Sequence, residues 1–129
     1  MPPLHATILL AAFFALLAVL LSLQISLRRM QIGSDASDGG GDNVLQRRIR
    51  AHRNFSEYAA LALMCAGLVE YRGAPAILTW AIAGAFALSR ALHAAVMLYV
   101  SSPKPRGIPM LVQHGAFLTA AAWLVAHAF

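Results

Sequence analysis

Arg50-Ala51-His52-Arg53-Asn54-Phe55-Ser56-Glu57 places two arginines, an asparagine and a glutamate at the start of a segment that otherwise reads as membrane-spanning. Charge at such depth is costly, so these side chains must pair with one another or line a site. The rest of the chain supplies the membrane setting. Of its 129 residues, 60% are hydrophobic and 12% charged, and the mean hydropathy is +0.67, far above that of a soluble domain. Apolar stretches cover about 4–27, 45–69, 74–100 and 108–129. Each reaches the roughly 20 residues that cross a hydrocarbon core of about 30 Å. They lack the period-2 alternation of a barrel strand, and backbone groups in lipid must be satisfied within the segment, so all four are expected to be helices. The prediction is an all-α membrane protein, a four-transmembrane-helix bundle forming one domain over 1–129 with a flexible loop at about 30–43.

Met1 to Thr7 carries no lysine or arginine, and the apolar run behind it is too long for a signal core, so the first segment is read as a retained helix. Arg28, Arg29, Arg47, Arg48, Arg50 and Arg53 flank the first connection, Lys104 and Arg106 lie in the third, and only Arg72 marks the second. The positive-inside bias then turns both termini away from the cytoplasm. The net charge of +5 sits at helix ends on one side of the membrane, which favours anchoring to anionic headgroups over nucleic-acid binding. The Gly33 to Asp42 connection reads as a linker, because no bidentate glutamate follows at calcium-loop spacing. Asn43 with Gln46 suggests the cap of the second helix. Cys65 stands alone and reads as a small hydrophobe, and the histidines have no metal-ligand spacing, so no metal site is expected.

On a helix, Arg50, Arg53, Asn54 and Glu57 fall at i, i+3, i+4 and i+7 and form one polar stripe. Glu57 lies about ten residues inward from Arg47, roughly 15 Å, where a carboxylate needs a partner. The third helix runs the other way and brings Arg90 to that depth, so a buried Glu57–Arg90 ion pair is predicted. His93 and Met97 continue the Arg90 face toward Asn54, Arg53 and Arg50. Two readings compete: charges that only lock two helices in register, or an electropositive pocket. Arg50, Arg53, Asn54 and His93 exceed what one carboxylate can neutralise, and Arg106 with Arg28 or Arg29 adds to the excess. Such a pocket suits a small polycarboxylate or a lipid phosphate.

Arg50-Ala51-His52-Arg53-Asn54 followed by Glu57 resembles the signature of the MAPEG family, membrane-associated proteins of eicosanoid and glutathione metabolism. The likeness covers nearly the whole chain and is closest to the small bacterial branch, through the Asn54 to Tyr58 run and the Arg90 to Ala94 pattern. It implies a homotrimer in a bacterial inner membrane, with glutathione as cosubstrate bound between subunits near the cytoplasmic face. By resemblance Arg50, Arg53, Asn54, Glu57 and His93 contact or support glutathione, and Arg106 stabilises its thiolate. The implied activity is glutathione transferase or peroxidase chemistry on hydrophobic electrophiles or lipid hydroperoxides drawn from the membrane.

Met97, Gly107 and Met110 depart from the family pattern of tyrosine, serine and tyrosine, which argues against a prostaglandin or leukotriene synthase. Tyr99 lies about 200° around the helix from Met97 and is expected to point away. Pro103, Pro105 and Pro109 are expected to break the helix around Arg106. Gln113 and His114 are read as interhelical hydrogen-bonding residues or pocket lining. The alternative to an enzyme is a nonenzymatic membrane protein whose arginine pocket binds a lipid headgroup or other anion.

Overall fold

Four α-helices account for most of the chain: α1 (His5–Ile32), α2 (Asn43–Tyr71), α3 (Ala76–Tyr99) and α4 (Gly107–Ala126), with a short 3-10 turn at Lys104–Arg106 leading into α4. The structure is a computed structural model describing residues 3–33, 35, 37–100, 102 and 104–129. Ser34, Ala36, Ser101 and Pro103 of the two predicted connections lie outside the described residues.

Consecutive helices pack on one another, α1 also reaches α3, and α2 also reaches α4, whereas α1 and α4 do not meet. The cross-section is therefore two triangles sharing the α2–α3 edge. α3 is the most enclosed of the apolar helices, with 44% of its most apolar stretch buried against 22% for α1 and for Lys104–Ala126. Phe14 meets Phe55 edge-on at 5.4 Å and Phe86 meets Phe117 at 4.7 Å, joining outer helices to the central pair. Ile8, Leu9, Leu16, Val19 and Leu20 on α1, and Ile108, Leu111, Leu118 and Val125 on α4, are instead exposed. Apolar faces this continuous suit lipid, not water.

The expectation that every segment is apolar enough to span alone holds for three of the four. α1, α3 and Lys104–Ala126 are long and apolar enough to cross a membrane. α2 is equally long but begins with Arg47, Arg48, Arg50 and Arg53. The protein is thus a multi-pass membrane protein whose most polar helix shares the central edge.

α1 runs five residues beyond its predicted end, because Arg28 and Arg29 are good helix formers and Gly33 closes the helix at φ 64°, with its N–H on the Arg29 carbonyl. The cap of α2 is Asp42, one residue before the predicted Asn43: its Oδ1 accepts the Leu45 N–H at 2.7 Å. The same carboxylate takes Arg28 Nη2 at 2.7 Å and Nε at 3.2 Å, so Arg28 is tied to the loop and does not join a pocket. Gly39 is also fixed: at φ 98°, an added Cβ would stand 2.6 Å from Gln46 Cγ. Pro105 falls in the 3-10 turn and Pro109 in the first turn of α4, where no N–H is required, so neither breaks the helix as expected.

The other end of the bundle is closed by Glu70, which sequence reasoning passed over. No side chain of α1 caps its own N-terminus. The Glu70 carboxylate, from the last turn of α2, accepts the Ala6 N–H at 3.0 Å, the Thr7 N–H at 2.8 Å and the Thr7 hydroxyl at 2.7 Å. An anion here satisfies orphan donors and meets the positive end of the helix dipole. Arg72 reaches the His127 carbonyl beyond α4, so both outer helices are fastened to the end of α2.

Arg28 and the Leu45 N–H hold the Asp42 carboxyl down at about 2. Its unfolded value is about 3.9, so the stabilisation is complete above that value and is lost as pH falls toward 2. Thermal unfolding in detergent is expected to show a falling midpoint across that window, and Asp42→Asn is expected to flatten that part of the profile.

Candidate functional site

The predicted stripe on α2 forms, but its members face two ways. Arg53 and Glu57 are exposed on the α1 side, and Asn54 is half-buried toward α3 and α4. Asn54 Oδ1 accepts Arg90 Nη1 at 2.8 Å, and Arg90 Nη2 rests 3.4 Å from Met110 Sδ. The guanidinium carbon lies 5.3 Å from the centre of the Tyr58 ring, a cation–π distance. Arg90 is 1% exposed, a cation enclosed by an amide oxygen, a ring face and a sulfur.

The predicted Glu57–Arg90 ion pair is therefore not formed: Arg90 donates to Asn54 Oδ1 instead. Depth was right and azimuth was wrong. Asn54 and Tyr58, four residues apart, lie within about 40° of each other and bracket Arg90. Glu57 precedes Tyr58 by about 100°, which turns its carboxylate toward α1.

There Glu57 and Arg53 enter an open groove of ≈ 620 Å³ with Ile49, His52 and Ser56 of α2 and Ser22, Ile25, Ser26 and Arg29 of α1. Adjoining hollows carry it along α1, to Ala18, Val19 and Leu23 on one side and to Met30, Gly33 and Asp35 on the other. The groove thus grades from apolar to polar toward the loop. Two guanidiniums, one carboxylate, an imidazole and three hydroxyls converge in it, and Arg29 Nε is buried without a hydrogen-bond partner among the described residues. His52, which is not among the residues of the predicted stripe, lines this groove. Its signal was readable as two matching patterns: Ser22, Ser26 and Arg29 at i, i+4 and i+7 on α1, and Ile49, His52, Arg53 and Ser56 at i, i+3, i+4 and i+7 on α2.

The remaining predicted residues sit elsewhere. His93 is buried on α3, one turn from Arg90, within coulombic reach of both Arg90 and Arg106. Arg106 is half-buried in the 3-10 turn, its Nε likewise without a partner among the described residues. Arg50 is exposed one turn before Asn54. Met97 packs against the core and Tyr99 is exposed, as their angular separation requires. His114 is exposed and uses its Nδ1 on its own helix, at the Met110 carbonyl, with its ring edge toward Tyr58; among the described residues it makes no interhelical hydrogen bond. Gln113 is fully buried, and neither of its amide atoms has a hydrogen-bond partner among the described residues.

A membrane-embedded four-helix bundle with a cationic second helix and a polar groove at its α1–α2 seam defines the class. The sequence model of the MAPEG family matches residues 7–126, and the chain belongs to that family. No individual curated protein and no solved structure matches it.

Proposed function

We propose that the protein binds glutathione and uses it as cosubstrate in transferase or peroxidase chemistry on hydrophobic electrophiles or lipid hydroperoxides. The observation that carries this reading is the donor set of the α1–α2 groove. Glutathione has two carboxylates and one ammonium, and the groove offers two guanidiniums, Arg29 and Arg53, against one carboxylate, Glu57. Guanidinium forks take carboxylates in bidentate contacts, and Glu57 suits the ammonium. The apolar run at Ala18, Val19 and Leu23 opens the same groove to a substrate dissolved in lipid.

Arg106 and His93 do not line the groove that holds Arg53 and Glu57. A site using both sets is completed between neighbouring protomers, which supports a homotrimer with the groove of one subunit facing the Arg106 end of the next. Arginines gathered at that end, with Arg72 alone at the other, support termini facing away from the cytoplasm of a bacterial inner membrane. At such a site Arg106 holds the sulfur as thiolate. In the transferase reaction that sulfur forms a bond to an electrophilic carbon as the leaving group departs. In the peroxidase reaction two thiols yield a disulfide while the hydroperoxide becomes an alcohol and water.

The test is calorimetric titration of the detergent-purified protein with reduced glutathione. Saturable heat is expected for the wild type, with a dissociation constant weakened about tenfold or more in Arg53→Ala, in line with a lost charged hydrogen bond. No heat at two temperatures would leave the second reading, a nonenzymatic protein whose arginine pocket holds a lipid headgroup or other anion, favoured by the buried Nε of Arg29 and of Arg106.

A further inference from the structure

Two hollows meet on the α1–α2 seam. The groove of ≈ 620 Å³ that holds Arg29, Arg53 and Glu57 is polar, and the adjoining hollow of ≈ 440 Å³ is walled by Ala18, Val19 and Leu23. Three residues line both: Ser22 and Ser26 of α1 and His52 of α2. The border between them is thus built from two hydroxyls and one imidazole, with charge on one side and apolar surface on the other. Val19 and Leu23 are themselves exposed, so the apolar side is open to lipid.

An ionic thiol and a lipid-soluble hydroperoxide meet along such a border, and the groups around it differ in what they can do with a proton. The guanidiniums of Arg29 and Arg53 do not release one in proteins. Glu57 is the carboxylate matched to the glutathione ammonium. Ser26 Oγ donates to the Ser22 carbonyl at 3.4 Å and Ser56 Oγ to the His52 carbonyl at 2.9 Å, so these hydroxyls turn their protons onto their own helices. Histidine is the side chain that takes up and gives back a proton near neutral pH. His52 is half-buried, and the charged groups that share its groove are Arg29 from α1 and Arg53 and Glu57 from its own helix.

We propose that His52 is a catalytic residue of the peroxidase reaction, the imidazolium that protonates the alkoxide leaving a lipid hydroperoxide. This rests on the glutathione reading and adds its proton donor. The thiolate sulfur attacks the terminal oxygen of the hydroperoxide. A sulfur–oxygen bond forms, and the oxygen–oxygen bond breaks with its electron pair going to the alkoxide. Sulfur is oxidised to a sulfenic acid while the peroxide is reduced. The alkoxide takes the His52 proton and leaves as the alcohol, and the imidazole recovers from solvent the proton that the first thiol lost on ionising. A second glutathione thiol attacks the sulfenic sulfur, which yields the disulfide and water.

A transferase reaction that expels chloride needs no such proton, and this separates a proton donor from a residue that only holds glutathione. Turnover of cumene hydroperoxide and of chlorodinitrobenzene is compared in the full-length protein in detergent, with glutathione titration as a check on binding. His52→Gln, which keeps polarity but carries no transferable proton, is expected to lower hydroperoxide turnover by about a hundredfold and chlorodinitrobenzene turnover by less than about fivefold. Added imidazole is expected to restore part of the hydroperoxide rate to His52→Ala. Where His52→Gln does not fold, His52→Asn takes its place. Equal losses in both reactions, or no loss in either, overturn the proposal, as does a selective hydroperoxide loss in Ser22→Ala with His52→Gln silent. A wild type that conjugates chlorodinitrobenzene without reducing hydroperoxide overturns it and leaves the transferase reading standing. A wild type that neither binds glutathione nor turns over either substrate removes the glutathione reading and this inference with it.

Discussion

Arg106→Ala is expected to lower glutathione turnover of a chlorodinitrobenzene electrophile by roughly a hundredfold or more, while glutathione affinity falls by less than about tenfold. The asymmetry follows from position. Arg106 stands in the 3-10 turn before α4, away from the groove that holds Arg53 and Glu57, and its Nε has no partner among the described residues. A guanidinium beside sulfur favours the thiolate, drawing the thiol below its ordinary value of about 8.5. Removing it returns the thiol toward that value. The acid limb of the pH–rate profile then moves to higher pH, and the deficit narrows as the medium becomes alkaline. Lysine at this position is expected to restore part of the rate, because charge survives while the planar fork is lost. A raised KM with kcat unchanged would make Arg106 a binding residue only. Absence of turnover in the wild type, with glutathione heat intact, would leave binding and remove the enzyme.

The helices were legible because lipid enforces a simple rule: a run of about 20 apolar residues must satisfy its own backbone, and three of the four helices follow it. α2 was read from the apolar stretch at about 45–69, and the polar periodicity along it put Asn54 and Arg90 on facing helices. Periodicity along one helix gives depth but only relative azimuth, and so Glu57 was assigned to the wrong neighbour. Contacts between distant turns were harder still. Glu70 caps α1 across 64 positions, and Asp42 serves as both a helix cap and the partner of Arg28. Neither the Glu70 cap nor the Arg28–Asp42 pair follows from local pattern, because each depends on how helix ends are brought together. Arg29 and His52 needed two helices to be compared: the weak Ser22, Ser26, Arg29 stripe gains meaning only beside its counterpart on α2.

The interior arginine yields the largest expected loss of stability. Arg90→Ala is expected to lower the unfolding free energy by about 3 kcal/mol or more, since it opens a cavity beneath Tyr58 and strips Asn54 of its donor. Its partner is identified by double-mutant cycles followed through thermal unfolding in detergent. Asn54 with Arg90 is expected to couple by roughly 1.5–3 kcal/mol, the range for a hydrogen bond to a charged group. Glu57 with Arg90 is expected to be additive within about 0.5 kcal/mol, as for side chains without a shared contact. Strong coupling to Glu57 would mean that the carboxylate turns inward in the assembled membrane protein, and the register of α2 against α3 would then need revision. Arg90→Met separates charge from volume. It fills the space between Tyr58 and Met110 without a cation to desolvate, and so is expected to lose much less than alanine does. If methionine were as damaging as alanine, the guanidinium itself, not its bulk, would be what holds α3 against α2 and α4.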